Sequence, residues 1–227
     1  MIKDYYNKFA VISNTFLSDL ECLDIKTKLV ENQQLWQQSR VRYFNFFPLA
    51  MYLVDQYRYR NNVKIYKNVC NTLFSVYYAR LLQTLSEKLQ MELSYDDNLN
   101  YPGFHISNGV PMVSPNFHVD NFPGIYKLLS QQNKIRYSSP KIFSVIVVVN
   151  TTEQNTGLLV RNPSNNHLER NKLIFDQEYY YSKGMLAIWD GSIQHSIKPF
   201  RPIDANDYRI TMQCHIAISG SKGIIFW

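Results

Sequence analysis

Phe117-His118-Val119-Asp120 is the stretch on which the reading of this chain turns. In an extended strand, residues i and i+2 face the same side. His118 and Asp120 can then aim an imidazole and a carboxylate at one point from one wall. A His-x-Asp pair by itself fits a surface turn with a solvated Asp equally well, so the surrounding residues decide. Gly184-Met-Leu-Ala-Ile-Trp-Asp-Gly-Ser-Ile-Gln-His195 reads as a strand, a two-residue turn at Asp190-Gly191, and a second strand ending in a histidine. Asp207 to Ile216 reads as a further strand, with Arg209 and Thr211 two residues apart on one face.

Two imidazoles and one carboxylate, from His118, Asp120 and His195, occupy one side of a metal ion and leave the other side open. That ligand set suits a non-haem Fe(II) centre. The open positions take O₂ and a chelating 2-oxo acid. An anionic co-substrate needs a cation at its far carboxylate, and a guanidinium fits because its planar fork makes two parallel hydrogen bonds. Arg209 follows His195 at a distance that lets it return on the next strand, and the Thr211 hydroxyl can share the same carboxylate.

These residues resemble the Fe(II)/2-oxoglutarate-dependent oxygenase superfamily, whose pattern is His-x-Asp, a distant His, and Arg-x-Ser/Thr on a double-stranded β-helix. The resemblance is closest to a group carrying Pro-Gly-Phe-His-Ile before the metal motif, here Pro102-Gly103-Phe104-His105-Ile106. It covers roughly Phe47 to Ile216. It implies Fe(II), 2-oxoglutarate and O₂ as cofactor and co-substrates, with His118, Asp120 and His195 on the metal and Arg209 and Thr211 on 2-oxoglutarate. The loop at 151–156 departs from the group by lacking a Gly-rich run. Because Asp120 is present, the halogenase variant, with Gly or Ala at the carboxylate, is disfavoured.

At 227 residues, a single domain over 1–227 is the natural expectation, with a mostly helical part over 1–93 and a β core over 94–218. The apolar share of 45% is enough for a real core. No apolar run approaches the ~20 residues of a membrane span, and the first residues lack a secretory pattern. Cys22, Cys70 and Cys214 are odd in number and widely spaced. They read as reduced core residues of a cytoplasmic protein, not as a disulfide framework. The net charge of +6 fits either an anionic partner or plain solubility.

Along the chain, Phe9 to Ile12 reads as a short strand. Ser18-x-x-Glu21 has capping-box spacing and opens a helix running to about Leu35-Trp36, with Leu20, Leu23, Thr27 and Val30 on one stripe. Trp36 reads as a core anchor. Leu49 to Tyr57 is a short apolar segment of helical character. Val63, Tyr66, Cys70, Leu73, Tyr77, Leu81, Leu85 and Leu89 keep helical spacing, so a long helix over 62–93, capped by Asn61 or Asn62, should pack outside the barrel. The run Tyr57-Arg-Tyr-Arg60 with Lys64 and Lys67 admits two readings, a base-stacking and phosphate-binding face or a solvated helix start.

Strands are expected from Glu92 onward, over Tyr101–Ser107, Asn116–Asp120, Lys141–Val149, Gly157–Arg161 and Asp176–Lys183, with the tail from Ser219 a partly ordered extension. The β-branched run Lys141–Val149 reads as a strand buried on both faces. The loop 121–141 follows the metal motif and reads as a substrate cover or an insertion. Its Tyr126 and Arg136, together with His105, are the candidate substrate contacts, though His105 equally fits a satisfied core histidine. His167 reads as a surface residue, and His215 as structural.

The fold expected is mainly β with helical additions (α+β): a double-stranded β-helix, jelly-roll or cupin-like core buttressed by N-terminal helices. The function implied is 2-oxoglutarate-dependent hydroxylation of a small metabolite, either an amino acid, a peptide or a sugar-like compound. The alternatives are a nucleic-acid- or protein-directed oxygenase and a non-catalytic cupin-type metal- or ligand-binding module.

Overall fold

The computed structural model describes residues 2–5, 8–39, 44–48, 56–109, 117–121, 141–152, 156–161 and 177–227, with the backbone alone at 2, 3, 56–58 and 60. The hydrophobic strand runs assemble into a nine-stranded main sheet. Its path takes β1 (Phe9–Ser13), β9 (Leu186–Asp190), β6 (Lys141–Asn150), β11 (Arg209–Ser219), β5 (Gly103–Ser107), β3 (Phe44–Phe47) and β2 (Gln37–Gln38) in that spatial order. Strand β11 is long enough to hold two partners on one edge. Its first half pairs with β5 and its second half with β12 (Lys222–Phe226). Strand β4 (Glu92–Tyr95) then adds to β12 in parallel. A second, three-stranded sheet has the order β10 (Gln194–Ile197), β7 (Gly157–Arg161), β8 (Gln177–Tyr180). Two antiparallel sheets facing each other make the expected jelly-roll core.

Strand β6 carries the division of the interior. Phe143, Val145, Val147 and Val149 join a core with the helices, while Ile146 and Val148 join a second core between the sheets. Burial on both faces explains why its sequence is β-branched almost throughout. The helical side is covered by α1 (Asp19–Glu31) and α2 (Gln56–Leu89).

Helix α1 begins as expected. The Ser18 hydroxyl accepts from the Glu21 N–H, and the Glu21 carboxylate accepts from the Ser18 N–H at 2.8 Å. Its buried face, however, is Cys22, Ile25 and Leu29. Leu20 and Leu23, assigned to one stripe from spacing, are 78% and 56% exposed, and Thr27 and Val30 also face outward. The helix is apolar on two sides, so periodicity alone fits both. Its roll is set by contacts at the N-terminal end, where Leu17 N–H donates to the Gly184 carbonyl at 3.1 Å and Arg80 pairs with Glu21 at 2.9 Å. Burying Ile25 and Leu29 contributes about 1.5–3 kcal/mol each. The helix also stops at Glu31, and a 3₁₀ turn over Gln33–Leu35 carries the chain to Trp36. Trp36 packs on the core and donates its indole N–H to the Leu29 carbonyl at 3.0 Å.

Helix α2 starts at Gln56, six residues before the start expected, so neither Asn61 nor Asn62 caps it. Tyr59 in its first turns is fully buried, donating to the Trp227 carbonyl at 2.8 Å and accepting from Asn100 N–H at 2.9 Å. A buried Tyr59 is no stacking platform. Lys67 donates to the Asp96 carbonyl at 2.7 Å and lies over the Tyr101 ring. Phe74 and Tyr78, absent from the predicted stripe, are buried alongside Cys70, Tyr77, Leu81, Leu85 and Leu89. Residues 49–55, read as the start of an apolar helical segment, lie outside those described.

Two further expectations are corrected. The tail is strand β12, joined to β11 by a tight turn at Gly220-Ser221 with Gly220 at φ +57°. Its end, Trp227, is buried against Phe46, and a Cβ on Gly103 would meet the Trp227 indole at 2.0 Å. Also, β9 and β10 are not a hairpin. The chain crosses between sheets there, because the buried Asp190 carboxylate turns it by accepting from Ser192 N–H at 3.0 Å and Ser192 Oγ at 2.7 Å while pairing with Lys141 at 3.0 Å. All three cysteines are buried free thiols, and no helix among the described residues is long and apolar enough to cross a membrane.

Candidate metal centre

The crossing from β9 to β10 places His195 on the small sheet, and His118 lies beside it. Each backbone N–H donates to the other's carbonyl, His118 to His195 at 3.0 Å and the reverse at 2.9 Å. Among residues 117–121 this single bridge replaces the full strand expected. Asp120 is oriented by its own backbone, because the Asp120 and Asn121 N–H groups both donate to the Gly191 carbonyl, at 2.9 and 3.0 Å. The result brings His118, Asp120 and His195 together. One ligand atom from each lies within 4.8 Å of the others. Asp120 Oδ1 is 3.7 Å from His118 Nε2, and Asp120 Oδ2 is 3.4 Å from His195 Nε2. The His118 side chain is half exposed, whereas His195 is buried. The cluster therefore has a wet side and a dry side.

Hydrogen bonds orient the buried ligands. The His195 Nδ1 lies 2.9 Å from the Ile193 carbonyl. A carbonyl can only accept, so the proton sits on Nδ1 and the Nε2 lone pair faces the cluster. Trp189 packs edge-on against the same ring at 5.2 Å. Asp120 Oδ2 accepts from the Ser144 hydroxyl at 2.5 Å, and His215 Nδ1 lies 3.3 Å from that hydroxyl. Burial alone would raise the Asp120 carboxyl, but His195, His215 and His118, with the Ser144 bond, hold it below the usual range. Burial pushes His195 down, against the pull of Asp120. An anionic carboxylate beside neutral imidazole is the protonation state a divalent ion requires.

Arg209 and Thr211 point into the same interior. Strand register pairs Arg209 with Ser107 and Thr211 with His105 on one face of β11 and β5. Arg209 is 0% exposed, and none of its three nitrogens has a hydrogen-bond partner among the described residues. Its guanidinium lies over the Tyr181 ring at 5.2 Å. The Tyr181 hydroxyl is also buried; it lies close to the Arg209 guanidinium but outside hydrogen-bond geometry with it, and has no other partner among the described residues. Burial lowers the Arg209 pKa and raises that of Tyr181, each opposed by the other. Thr211 Oγ1 accepts from Gln213 Nε2 at 3.1 Å. A buried guanidinium with its donors unspent is costly unless an anion completes it. The donor sets thus fit a metal and, separately, a carboxylate.

His105 forms part of this wall. Its ring packs edge-on against Phe46 at 4.7 Å and Trp227 at 5.0 Å. Burial first, then the charge of Arg209, pushes its pKa well below the ordinary value. Tyr126, Arg136 and the rest of the loop read as a cover lie outside the described residues, as does His167. Sequence spacing does not say which of the consecutive tyrosines Tyr179, Tyr180 and Tyr181 faces inward, and the structure buries Tyr181 while Tyr180 is exposed. It also does not single out Ser144, for which a lone Ser inside the β-branched run of β6 is the available signal.

No protein-family model and no curated protein sequence matches the chain. Solved structures do. An oxidoreductase of the 2OG-Fe(II) oxygenase family from Burkholderia pseudomallei aligns with a TM-score of 0.52 at 11% identity, over 90% of this chain and 82% of its own. An N-substituted L-amino acid dioxygenase from Burkholderia ambifaria AMMD, in complex with alpha-KG, gives 0.52 at 10% identity over 93% and 83%. The non-heme alpha ketoglutarate dependent epimerase SnoN from nogalamycin biosynthesis gives 0.51 at 8% identity over 98% and 94%. At 8–11% identity these likenesses are ones of structure and not of sequence, and they show the fold: the chain has the fold of the 2OG-Fe(II) oxygenases.

Proposed function

We propose that the protein is an Fe(II)- and 2-oxoglutarate-dependent dioxygenase that hydroxylates a small molecule of the amino acid, peptide or sugar-like kind. The observation that carries the reading is Arg209, a fully buried guanidinium whose three nitrogens have no hydrogen-bond partner among the described residues, in the same interior as a His-Asp-His cluster. A structural arginine would have found partners. Held at this site, Fe(II) and 2-oxoglutarate would supply the oxidising chemistry for hydroxylating a substrate C–H bond with O₂, with succinate and CO₂ as co-products.

The chain's own residues bind, orient and exclude water. His118, Asp120 and His195 would hold the metal. Arg209 would grip the far carboxylate of 2-oxoglutarate by two parallel hydrogen bonds, with the Tyr181 and Thr211 hydroxyls beside it. Ile146, Val148, Leu158, Val160, Trp189 and Ile193 form the apolar core between the sheets, surroundings of low polarity in which those bonds would be strong. The similar structures include an N-substituted L-amino acid dioxygenase and an epimerase from nogalamycin biosynthesis. They support that substrate class for this chain.

Anaerobic titration of the Fe(II)-loaded protein with 2-oxoglutarate tests the reading. A visible metal-to-ligand band that saturates with 2-oxoglutarate is expected. Its absence would refute the assignment and leave the non-catalytic binding module.

A further inference from the structure

We propose that Ser144 and His215 form a positioning pair that presents a single oxygen of Asp120 to the metal; the inference rests on the metal-site reading above. Ser144 on β6 and His215 on β11 are register partners in the main sheet. Both are buried. The Ser144 hydroxyl lies 2.5 Å from Asp120 Oδ2 and 3.3 Å from His215 Nδ1. An ionised carboxylate offers no proton, so Ser144 donates to Asp120. A hydroxyl has one hydrogen, so the bond to His215 runs the other way and His215 carries its proton on Nδ1. The direction is therefore fixed throughout: His215 Nδ1–H to Ser144 Oγ, and Ser144 O–H to Asp120 Oδ2.

This arrangement settles a choice that the backbone leaves open. The Gly191 carbonyl fixes where Asp120 sits but not how its two oxygens are used. Ser144 takes one lone pair of Oδ2, 3.4 Å from His195 Nε2, and leaves Oδ1, 3.7 Å from His118 Nε2, with both of its lone pairs as the stronger donor to a metal. Single-oxygen coordination matters because the facial site must keep room for a chelating 2-oxo acid and for O₂. A carboxylate free to bind through both oxygens would take one of those positions. Ser144 and His215 touch neither metal nor substrate; they act through Asp120.

Titration with Co(II), followed by its visible d–d band, tests the pair without turnover. Ser144→Ala should weaken Co(II) binding by about 10–100-fold and change the band's intensity, because the coordination number changes. Ser144→Thr, which keeps the hydroxyl, should restore both. His215→Phe should shift the band in the same direction as Ser144→Ala. Ser144→Cys keeps the shape with a much weaker donor and is read in parallel, so a folding failure of Ser144→Ala does not remove the test. Affinity and band unchanged in Ser144→Ala, or in Ser144→Cys where Ser144→Ala does not fold, would overturn the inference and leave the metal site standing. Failure of the unaltered protein to bind Co(II) would overturn the metal reading and this inference with it.

Discussion

Replacing Arg209 by Met should raise the stability of the ligand-free protein while removing its response to 2-oxoglutarate. The two effects have opposite signs because one group causes both. Arg209 is fully buried and its three nitrogens have no hydrogen-bond partner among the described residues, so the folded protein without ligand carries a desolvation cost that these residues leave uncompensated. Exchanging a buried ionic group for a hydrophobe of similar volume is commonly neutral or stabilising by about 1–4 kcal/mol. The contact with the Tyr181 ring offsets part of this, by up to about 2 kcal/mol. A net gain of about 1–2 kcal/mol, at roughly 2–4 °C per kcal/mol for a chain of this size, raises the melting temperature by about 2–8 °C. The loss on the ligand side is larger. Two hydrogen bonds to a charged group contribute about 1.5–3 kcal/mol each, which at ~1.4 kcal/mol per tenfold is a weakening of about 100-fold or more. Differential scanning fluorimetry in Mn(II), with and without 2-oxoglutarate, reads both. At about 100 times its Kd, 2-oxoglutarate should stabilise the unaltered protein by about 2.7 kcal/mol and Arg209→Met hardly at all. A variant that melts lower without ligand, or one still shifted by 2-oxoglutarate at the same concentration, would show that Arg209 is paired in some other way.

Tyr181→Phe should weaken 2-oxoglutarate by about three- to tenfold with little change in melting temperature, since its buried hydroxyl is in hydrogen-bond geometry with no group among the described residues; isothermal titration measures this, and no change would remove Tyr181 from the carboxylate site. His118→Ala should abolish Fe(II) binding and turnover while circular dichroism stays native, because the side chain is half exposed and supports little packing. His105, His195 and His215 all titrate below the ordinary value of 6.5 because they are buried. Each binds fewer protons folded than unfolded, so its stabilising contribution is complete above about pH 6.5 and is lost as pH falls toward the lowered value. Denaturant melts of the metal-free protein should weaken steadily from pH 6.5 to pH 5, and a flat profile would mean these rings are not held neutral. Gly103→Ala should destabilise by about 1–3 kcal/mol, read as a lower denaturation midpoint, since its Cβ would collide with the buried Trp227 indole.

Sequence was most informative where one physical requirement decides a residue. The capping box at Ser18, the doubly buried β6 and the Gly157–Arg161 strand carry their own signals, in side-chain hydrogen bonding, β-branching and flanking turns. The His118, Asp120 and His195 set was legible because metal chemistry restricts residue types so strongly. What escaped depends on contacts between distant segments. Leu20 and Ile25 are equally apolar, and only the packing of Leu17 and Glu21 decides which one is buried. Asp190-Gly191 has hairpin chemistry, yet the buried pairing of Asp190 with Lys141 sends the chain to the other sheet. Ser144 and His215 are 71 positions apart and meet only through sheet register.

The two-sidedness of β6 separates tasks along a single strand. Val145 and Val147 answer to the helices, while Ile146 and Val148 answer to the core between the sheets and Ser144 to Asp120. If the interior between the sheets holds the proposed site, changes at Ile146 and Val148 alter its shape while the contacts of β6 with the helices stay in place. A designer seeking new substrates for this scaffold has, in Ile146 and Val148, places to vary that a mutational scan judged by folding yield would rank as unremarkable core.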